Sequence, residues 1–280
     1  MTAPEHANTA EEERIVPGTA LWETSYPDHI QRYTFALEYV AAGSRVLDAG
    51  CGVGYGAAEV ADRRGAAVVA VDISAEALDL ARRHFDRAAI TWCRDDCQRL
   101  AEAAQHAPFD VIINFENIEH LAHPERFVER AADLLRPDGT LLTSTPNRLL
   151  LNHLRGAPAD APSTNQYHLN ELSEAEFRTM LGRHFEHVEL WYQSPAGSSR
   201  LRLLMHSAAV RLRVARPLRS ISRWLRRLRP RGKHSGSRPP RLDSWTIARR
   251  DTGAAWTLIA VCRGPRRAPA PAAPPEQRSA

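Results

Sequence analysis

Residues 46–56 read VLDAGCGVGYG, an apolar run that ends in an acid and then places Gly50, Gly52 and Gly54 at alternate positions. Glycines directly after a buried strand let a ligand approach the backbone where a Cβ would collide, and the helix that follows offers unpaired N–H groups in its first turn. Working outward, Tyr55 to Arg64 reads as that helix, and Ala67 to Ile73 (AVVAVDI) as a buried second strand. Ser74 can cap a helix over Ala75 to Phe85. Ile90 to Cys93 and Phe109 to Phe115 read as the third and fourth strands, and Leu134 to Gly139 as a helix end and turn into a fifth, Thr140 to Thr145. Ser173-Glu174-Ala175-Glu176 is a capping box for a helix ending near Gly182, and His187 to Tyr192 and Trp256 to Cys262 supply two more strands. Strands and helices alternating in this way predict an α/β fold class: a doubly wound, mostly parallel seven-stranded sheet with helices on both faces.

At 280 residues, with 43% hydrophobic and 25% charged, the composition is that of an ordinary globular chain with a sizeable core. The expected organisation is a leader and cap helix over 1–40, a main domain over 41–193 and 243–264, a basic insert over 194–242, and a Pro- and Ala-rich disordered tail over 265–280. The first fourteen residues are acidic and polar, unlike a signal peptide, and no eighteen apolar residues run together. A cytoplasmic location is the expectation. Cys51, Cys93, Cys97 and Cys262 show no C-x-x-C spacing, which argues against a zinc knuckle or a disulfide framework.

The net charge of +4 conceals an asymmetry. No acid lies between Glu189 and Asp243, a stretch with thirteen Arg and one Lys; taken from +4, its +14 leaves −10 for the rest. From Pro217, the residues Leu218, Ile221, Trp224, Leu225 and Leu228 share one helical face, while Pro230 to Pro240 reads as an irregular loop. Such a segment, over 200–232, can lie on an anionic membrane surface, cover an anionic small substrate, or bind nucleic acid. Its apolar face disfavours nucleic acid and leaves a protein peripheral at the membrane as one expectation.

The spacing of the glycines narrows the ligand. A dinucleotide fingerprint is G-x-G-x-x-G, whereas here the third glycine position of that pattern is Tyr55. Asp48, two residues before the first glycine, would repel a pyrophosphate but can hold a cation. S-adenosylmethionine carries an ammonium and a sulfonium and no phosphate. VLDAGCGVGYG, VVAVDIS, CRDDCQRL, DVIINFE and RPDGTLLTSTPN, in this order and spacing, resemble the motifs of the class I S-adenosylmethionine-dependent methyltransferases. The resemblance runs from about Glu13 to Cys262. It implies that Asp48, Gly50, Gly52 and Gly54 bind the cofactor, that Asp72 binds the ribose hydroxyls, and that Asp96, or Asp95 by one register, meets the adenine. Ile73, Cys97 and Asn114 are further cofactor-lining positions on the same grounds. A helix before the first strand commonly covers the cofactor, which places Arg32 and Tyr33 at the site.

The segment after the fourth strand decides the chemistry. Here it is FENIEH, residues 115–120, with neither the Asp/Asn-Pro-Pro-aromatic of base amino methylation nor the Pro-Cys of cytosine C5 methylation, so O-methylation is the expectation. Glu116, Glu119 and His120 are spaced i, i+3, i+4 and share one face if a helical turn follows. Glu-x-x-Glu-His resembles the ubiquinone-biosynthesis O-methyltransferases and the small-RNA 2′-O-methyltransferases. The latter resemblance implies a divalent metal, magnesium, on Glu116, Glu119, His120 and a downstream His, here His168. The alternatives are a metal-free site with His120 and Glu116 as catalytic residues, or a purely structural pair. ERIVPG and DHIQRYTFA resemble a leader of bacterial methyltransferases acting on sugars, polysaccharide precursors or secondary metabolites. The expected acceptor is therefore a small-molecule or glycan hydroxyl. A quinone or phenol, an RNA 2′-hydroxyl, and a non-catalytic cofactor-binding partner protein are the rivals.

Overall fold

The computed structural model describes residues 15–196, 245–251 and 253–266. The helix and loop read at 217–240, and the tail beyond 266, lie outside the described residues.

Helix α1 (Ala20–Ala36) opens where the Thr19 side chain accepts a 3.2 Å bond from Trp22 N, as a helix N-cap does. Strand β1 (Arg45–Ala49) leads through the glycine turn into α2 (Tyr55–Arg64), and β2 (Ala67–Asp72) leads into α3 (Ala75–Phe85), which Ser74 caps through Ala77 N at 3.2 Å. Then come β3 (Ile90–Arg94), β4 (Phe109–Asn114), a 3-10 turn over Ile118–His120, α4 (Pro124–Leu134), β5 (Leu135–Pro146) and α5 (Arg148–Arg155). Helix α6 (Glu174–His184) starts with both halves of the Ser173/Glu176 capping box formed. Strands β6 (Phe185–Pro195), β7 (Trp245–Ala248) and β8 (Thr257–Pro265) complete the sheet.

The strand order is β3-β2-β1-β4-β5-β8-β6-β7, with the first five parallel and the β5–β8, β8–β6 and β6–β7 pairings antiparallel. The sheet therefore has eight strands rather than the expected seven. The additional strand is β7, four residues (WTIA) of partly exposed edge, too short to stand out in the sequence. It exists because β6 runs on to Pro195 and offers a free backbone edge, on which Trp245 pairs with Pro195 and Ala248 with Tyr192. The expected turn at Leu134–Gly139 is also shifted: strand pairing resumes at Leu135, opposite Phe109, and slips register before Thr140 meets Val111. At the other end, Pro265 still belongs to β8 and Arg266 N donates to the His184 carbonyl, so the first two residues of the expected tail pair with the sheet and α6.

Period-two alternation divides the core. Leu47, Val69 and Ile112 face α4 (Phe127, Val128) and α6 (Phe177, Leu181), while Val46, Val68 and Ile113 face α1 (Ile30, Tyr33) and α2 (Ala57, Val60). Helices on both faces of a parallel sheet leave its carboxyl end open for ligands. Among the described residues no helix is long and apolar enough to cross a membrane.

Candidate active site

A cavity of about 610 Å³ opens at the carboxyl ends of β1, β2 and β4. The glycine turn forms its floor. Gly52 has φ +55°, and a Cβ built there would meet nothing within 4 Å, so its missing side chain leaves room for a ligand against the backbone. Gly56 serves packing instead: a Cβ there would lie 2.0 Å from the Tyr33 ring, so the glycine is what lets α1 settle onto α2.

Asp72 ends β2 at the cavity wall. Its Oδ2 accepts from Gly52 N and its Oδ1 from Ser74 N, each at 2.9 Å, which anchors the carboxylate beside the turn. Ile73, 63% exposed, lies next to it on the same wall. Asp48 is buried behind the turn, where Oδ1 accepts a 3.0 Å bond from the Tyr33 hydroxyl and Oδ2 has no hydrogen-bond partner. Desolvation raises its pKa to about 7, against the Tyr33 bond, with Asp72 adding to the rise. A buried carboxylate oxygen with no donor, an open glycine backbone and an accepting carboxylate on the wall together fit a cationic nucleoside ligand such as S-adenosylmethionine.

Other expected cofactor residues stand back from the cavity. Asp95 is buried and caps the following turn, accepting from Glu102 N (2.8 Å) and Ala103 N (3.0 Å) through one oxygen, so it is spent on the backbone. Asp96 is half-buried, and its Oδ1 accepts a local bond from Gln98 N at 2.9 Å. The Cys97 thiol is buried, and burial pushes its pKa up. Asn114 donates to the Ala49 carbonyl at 2.8 Å and accepts from Thr143 at 3.3 Å, tying β1, β4 and β5 together. Gly54 packs against Trp92 and Ala81 rather than facing the cavity. Arg32 is fully buried, not at the site surface: Nη1 donates to Gln193 Oε1 at 2.5 Å and lies 3.4 Å from Asp28, which fastens α1 to β6.

The opposite wall comes from FENIEH. The expected shared face of Glu116, Glu119 and His120 does not form, because Glu116 sits before the 3-10 turn with φ +50°. Its backbone N donates to Ser144 Oγ (3.0 Å), and Ser144 Oγ donates back to Glu116 Oε1 (2.7 Å), which clamps the side chain at the cavity. Glu119 turns inward and is buried. Desolvation, with Glu116 adding to it, raises its pKa well above the ordinary carboxylate range. His120 lines the cavity with Nδ1 3.0 Å from the Tyr167 carbonyl, and its ring meets the His168 ring edge-on at 4.9 Å. Glu119, His120 and His168 bring one ligand-capable atom each within 4.8 Å of one another, while Glu116 stays outside that cluster. One carboxylate with two imidazoles suits a nitrogen-preferring transition ion better than magnesium, which favours oxygen donors.

Several cavity residues were not singled out in the sequence. His29 lies one helical turn before Tyr33 on α1, a spacing that could have identified it; its Nδ1 is 3.1 Å from the Tyr55 hydroxyl. Burial, with Arg32 adding to it, lowers the His29 pKa well below the ordinary imidazole value, so the ring is neutral near pH 7. Tyr33 stands edge-on to both Tyr55 (5.9 Å) and Phe115 (5.3 Å), and these three rings with Tyr167 give the cavity an aromatic lining. Tyr167 and Ser144 carry no local signal, because each matters only through what it meets in space.

Residues 22–186 match the family model described as a methyltransferase domain. The chain belongs to that family. A protein of Mycolicibacterium smegmatis named as an S-adenosylmethionine-dependent methyltransferase is 36% identical over 172 residues, covering 60% of this chain and 62% of that one. A ubiquinone biosynthesis O-methyltransferase of Chelativorans sp. is 38% identical over 110 residues, 39% of this chain and 42% of that one. The chain thus spans under two thirds of the length of either curated relative. In a complex from Haloferax volcanii, the methyltransferase bound to the Trm112 activator shares the fold, with TM-score 0.54 and 17% identity over 87% of this chain and 92% of that one. The family member described here therefore has the class I methyltransferase architecture, with β7 as an added edge strand.

Proposed function

We propose that the chain is an S-adenosylmethionine-dependent O-methyltransferase acting on a hydroxyl of a sugar, glycoconjugate or secondary metabolite. The observation that carries this reading is that one cavity joins the glycine turn and Asp72 on one wall to Glu116 and His120 on the other. Bound there, the cofactor supplies an electrophilic methyl group on a sulfonium. What the chain must add is the alignment of an acceptor oxygen in line with that methyl and a place for the acceptor's proton. A carbonyl only accepts, so the contact with Tyr167 puts the proton of neutral His120 on Nδ1 and makes Nε2, 4.0 Å from Glu119 Oε1, the atom that would take the acceptor's proton. Glu116, held by Ser144, is placed to accept a second hydroxyl. Among the described lining residues there is no Lys or Arg, and the aromatic lining supports a neutral ring-bearing acceptor over an anionic one.

The test is calorimetry with S-adenosylhomocysteine, followed by transfer of labelled methyl to a panel of methyl glycosides, catechols and 3′-terminal RNA oligonucleotides. Methylation of a glycoside lost in His120→Ala is the expected result. Tight S-adenosylhomocysteine binding with no transfer to any class would favour the non-catalytic partner reading.

The Glu119, His120, His168 cluster favours a second reading, a metal-assisted quinone or phenol O-methyltransferase in which the ion polarises one of two adjacent hydroxyls. Loss of catechol transfer in chelator, restored by zinc or iron(II) more than by magnesium, is what that reading requires. We further propose that residues 200–232 meet an anionic membrane surface. Support comes from their charge and from their attachment between Pro195 and Trp245, which lie at the same end of the sheet as the cavity. Sedimentation with anionic but not neutral vesicles, reversed by salt, is the expected outcome.

A further inference from the structure

We infer that His29 and Tyr55 hold the carboxylate of the cofactor's amino-acid end. The inference rests on reading the cavity as a cofactor site with the ammonium against Asp48. On that reading the place of the carboxylate follows, because the ammonium and carboxylate of an α-amino acid share one carbon and the anion must lie next to whatever meets the cation. A desolvated carboxylate needs donors. None of the described lining residues is Lys or Arg, and Arg32, the cation that the sequence placed here, donates to Gln193 instead. Helix α1 offers His29 in its place. His29 lines the cavity, and its Nδ1 is 3.1 Å from the Tyr55 hydroxyl, which lines it too. One hydrogen lies between them. If it is Tyr55's, the neutral ring keeps an Nε2–H; if it is the ring's, Tyr55 keeps its O–H. Either way the pair has one donor left for a carboxylate.

Position and charge both support the pairing. The Tyr55 ring stands edge-on to Tyr33 with centres 5.9 Å apart, and it is the Tyr33 hydroxyl that donates to Asp48, so the pair lies one ring away from the acid assigned to the ammonium. His29 Nε2 lies 3.8 Å from Asp28 Oδ2, beyond hydrogen-bond reach, so that nitrogen is not spent. Asp28 itself is balanced by Arg32 at 3.4 Å, a fully buried guanidinium whose Nε and Nη2 have no partner. The Arg32 charge helps to keep His29 neutral, and a charge that repels a proton on the ring attracts an anion beside it. Tyr55 is also the first residue of α2, which has no side-chain cap and no acid in its first turn, so an anion there meets the positive end of a helix. The other histidine of the cavity suits an anion less well, because His120 Nε2 has the Glu119 carboxyl 4.0 Å away.

Titration calorimetry on the full chain can compare S-adenosylhomocysteine with decarboxylated S-adenosylhomocysteine, the amine that lacks only the carboxylate. Wild type should prefer the carboxylate-bearing ligand by about 10- to 100-fold, the scale of a charge-assisted hydrogen bond. His29→Ala should remove most of that preference by weakening S-adenosylhomocysteine alone, with the amine still bound within about twofold of wild type. Tyr55→Phe keeps the ring and its packing and should reduce the preference by about two- to tenfold. Equal binding of the two ligands by wild type overturns the proposal, as does an unchanged preference in either folded variant. So does a His29→Ala chain that loses affinity for both ligands alike, which would mark His29 as structural. If His29→Ala does not fold, wild type and Tyr55→Phe decide. A wild-type chain that binds neither ligand overturns the cofactor reading instead, so the two failures are distinct.

Discussion

The two walls of the cavity are built in opposite ways. The cofactor wall consists of the residues of two strand ends, 48–56 and 72–74, with its bonds running between near neighbours or across one strand pair, as in Asp72 to Gly52 and Ser74. The acceptor wall is assembled from α1, the residues just after β4, the end of β5 and the loop before α6, brought together from distant parts of the chain. The contrast teaches that a ligand met by backbone is specified locally, whereas a substrate met by side chains is specified by packing.

The largest expected effect falls on the cofactor wall. Asp72→Ala removes a carboxylate that can take both ribose hydroxyls, at about 1.5–3 kcal/mol for each charge-assisted bond, so calorimetry should find S-adenosylhomocysteine binding at least about 100-fold weaker. The acceptor wall should behave otherwise. His120→Ala is expected to lower kcat about 100-fold, the scale of a lost general base, while cofactor affinity stays within about twofold. If both variants lose cofactor together, the walls are not separable.

The pH response tests the buried acid behind the turn. Asp48 has a pKa of about 7 in the cofactor-free chain, above the ordinary 3.8, so it binds a proton that the unfolded chain releases. Its contribution to stability is therefore lost as pH rises from the ordinary value through about 7. A cationic cofactor favours the ionised form, so S-adenosylmethionine affinity should fall by up to about tenfold per pH unit below that value. Asp48→Asn should flatten the profile measured by titration calorimetry between acid and neutral buffers.

Two glycines sharpen the same comparison. Gly56→Ala forces a Cβ against the Tyr33 ring and should cost about 1–3 kcal/mol of stability in a denaturant melt. Gly52→Ala faces open space but has φ +55°; it should cost about 1–2 kcal/mol in backbone strain, with the added methyl pointing where the ligand approaches. The second change should weaken cofactor binding more than its effect on stability suggests. The smallest expected effect is Tyr33→Phe, which removes one hydrogen bond to Asp48, about 0.5–1.5 kcal/mol. It should also raise the pKa of Asp48, moving the affinity profile to higher pH.

The sequence was legible where a requirement is local. The glycine turn, the ends of α2 and α3, the Ser74 cap and the Ser173 capping box all depend on residues within one turn of each other, and the structure has them as read. It was illegible where periodicity had to stand in for geometry. The i, i+3, i+4 spacing of Glu116, Glu119 and His120 suggested one face, but a positive φ at Glu116 put that residue on a different partner, Ser144. β7 escaped notice because four residues of edge strand carry little pattern, and Arg32 is buried by Gln193, a residue far along the chain.

By itself the sequence determined the α/β order, the glycine turn and the acid at the end of β2, because backbone conformation and strand polarity are written in consecutive residues. Only the tertiary structure decided that Glu119 turns inward, that Glu116 is clamped to β5, and that Arg32 is buried against Gln193. Those outcomes depend on which distant side chains are left to satisfy a buried charge once the elements have packed, and neighbouring residues do not encode that choice.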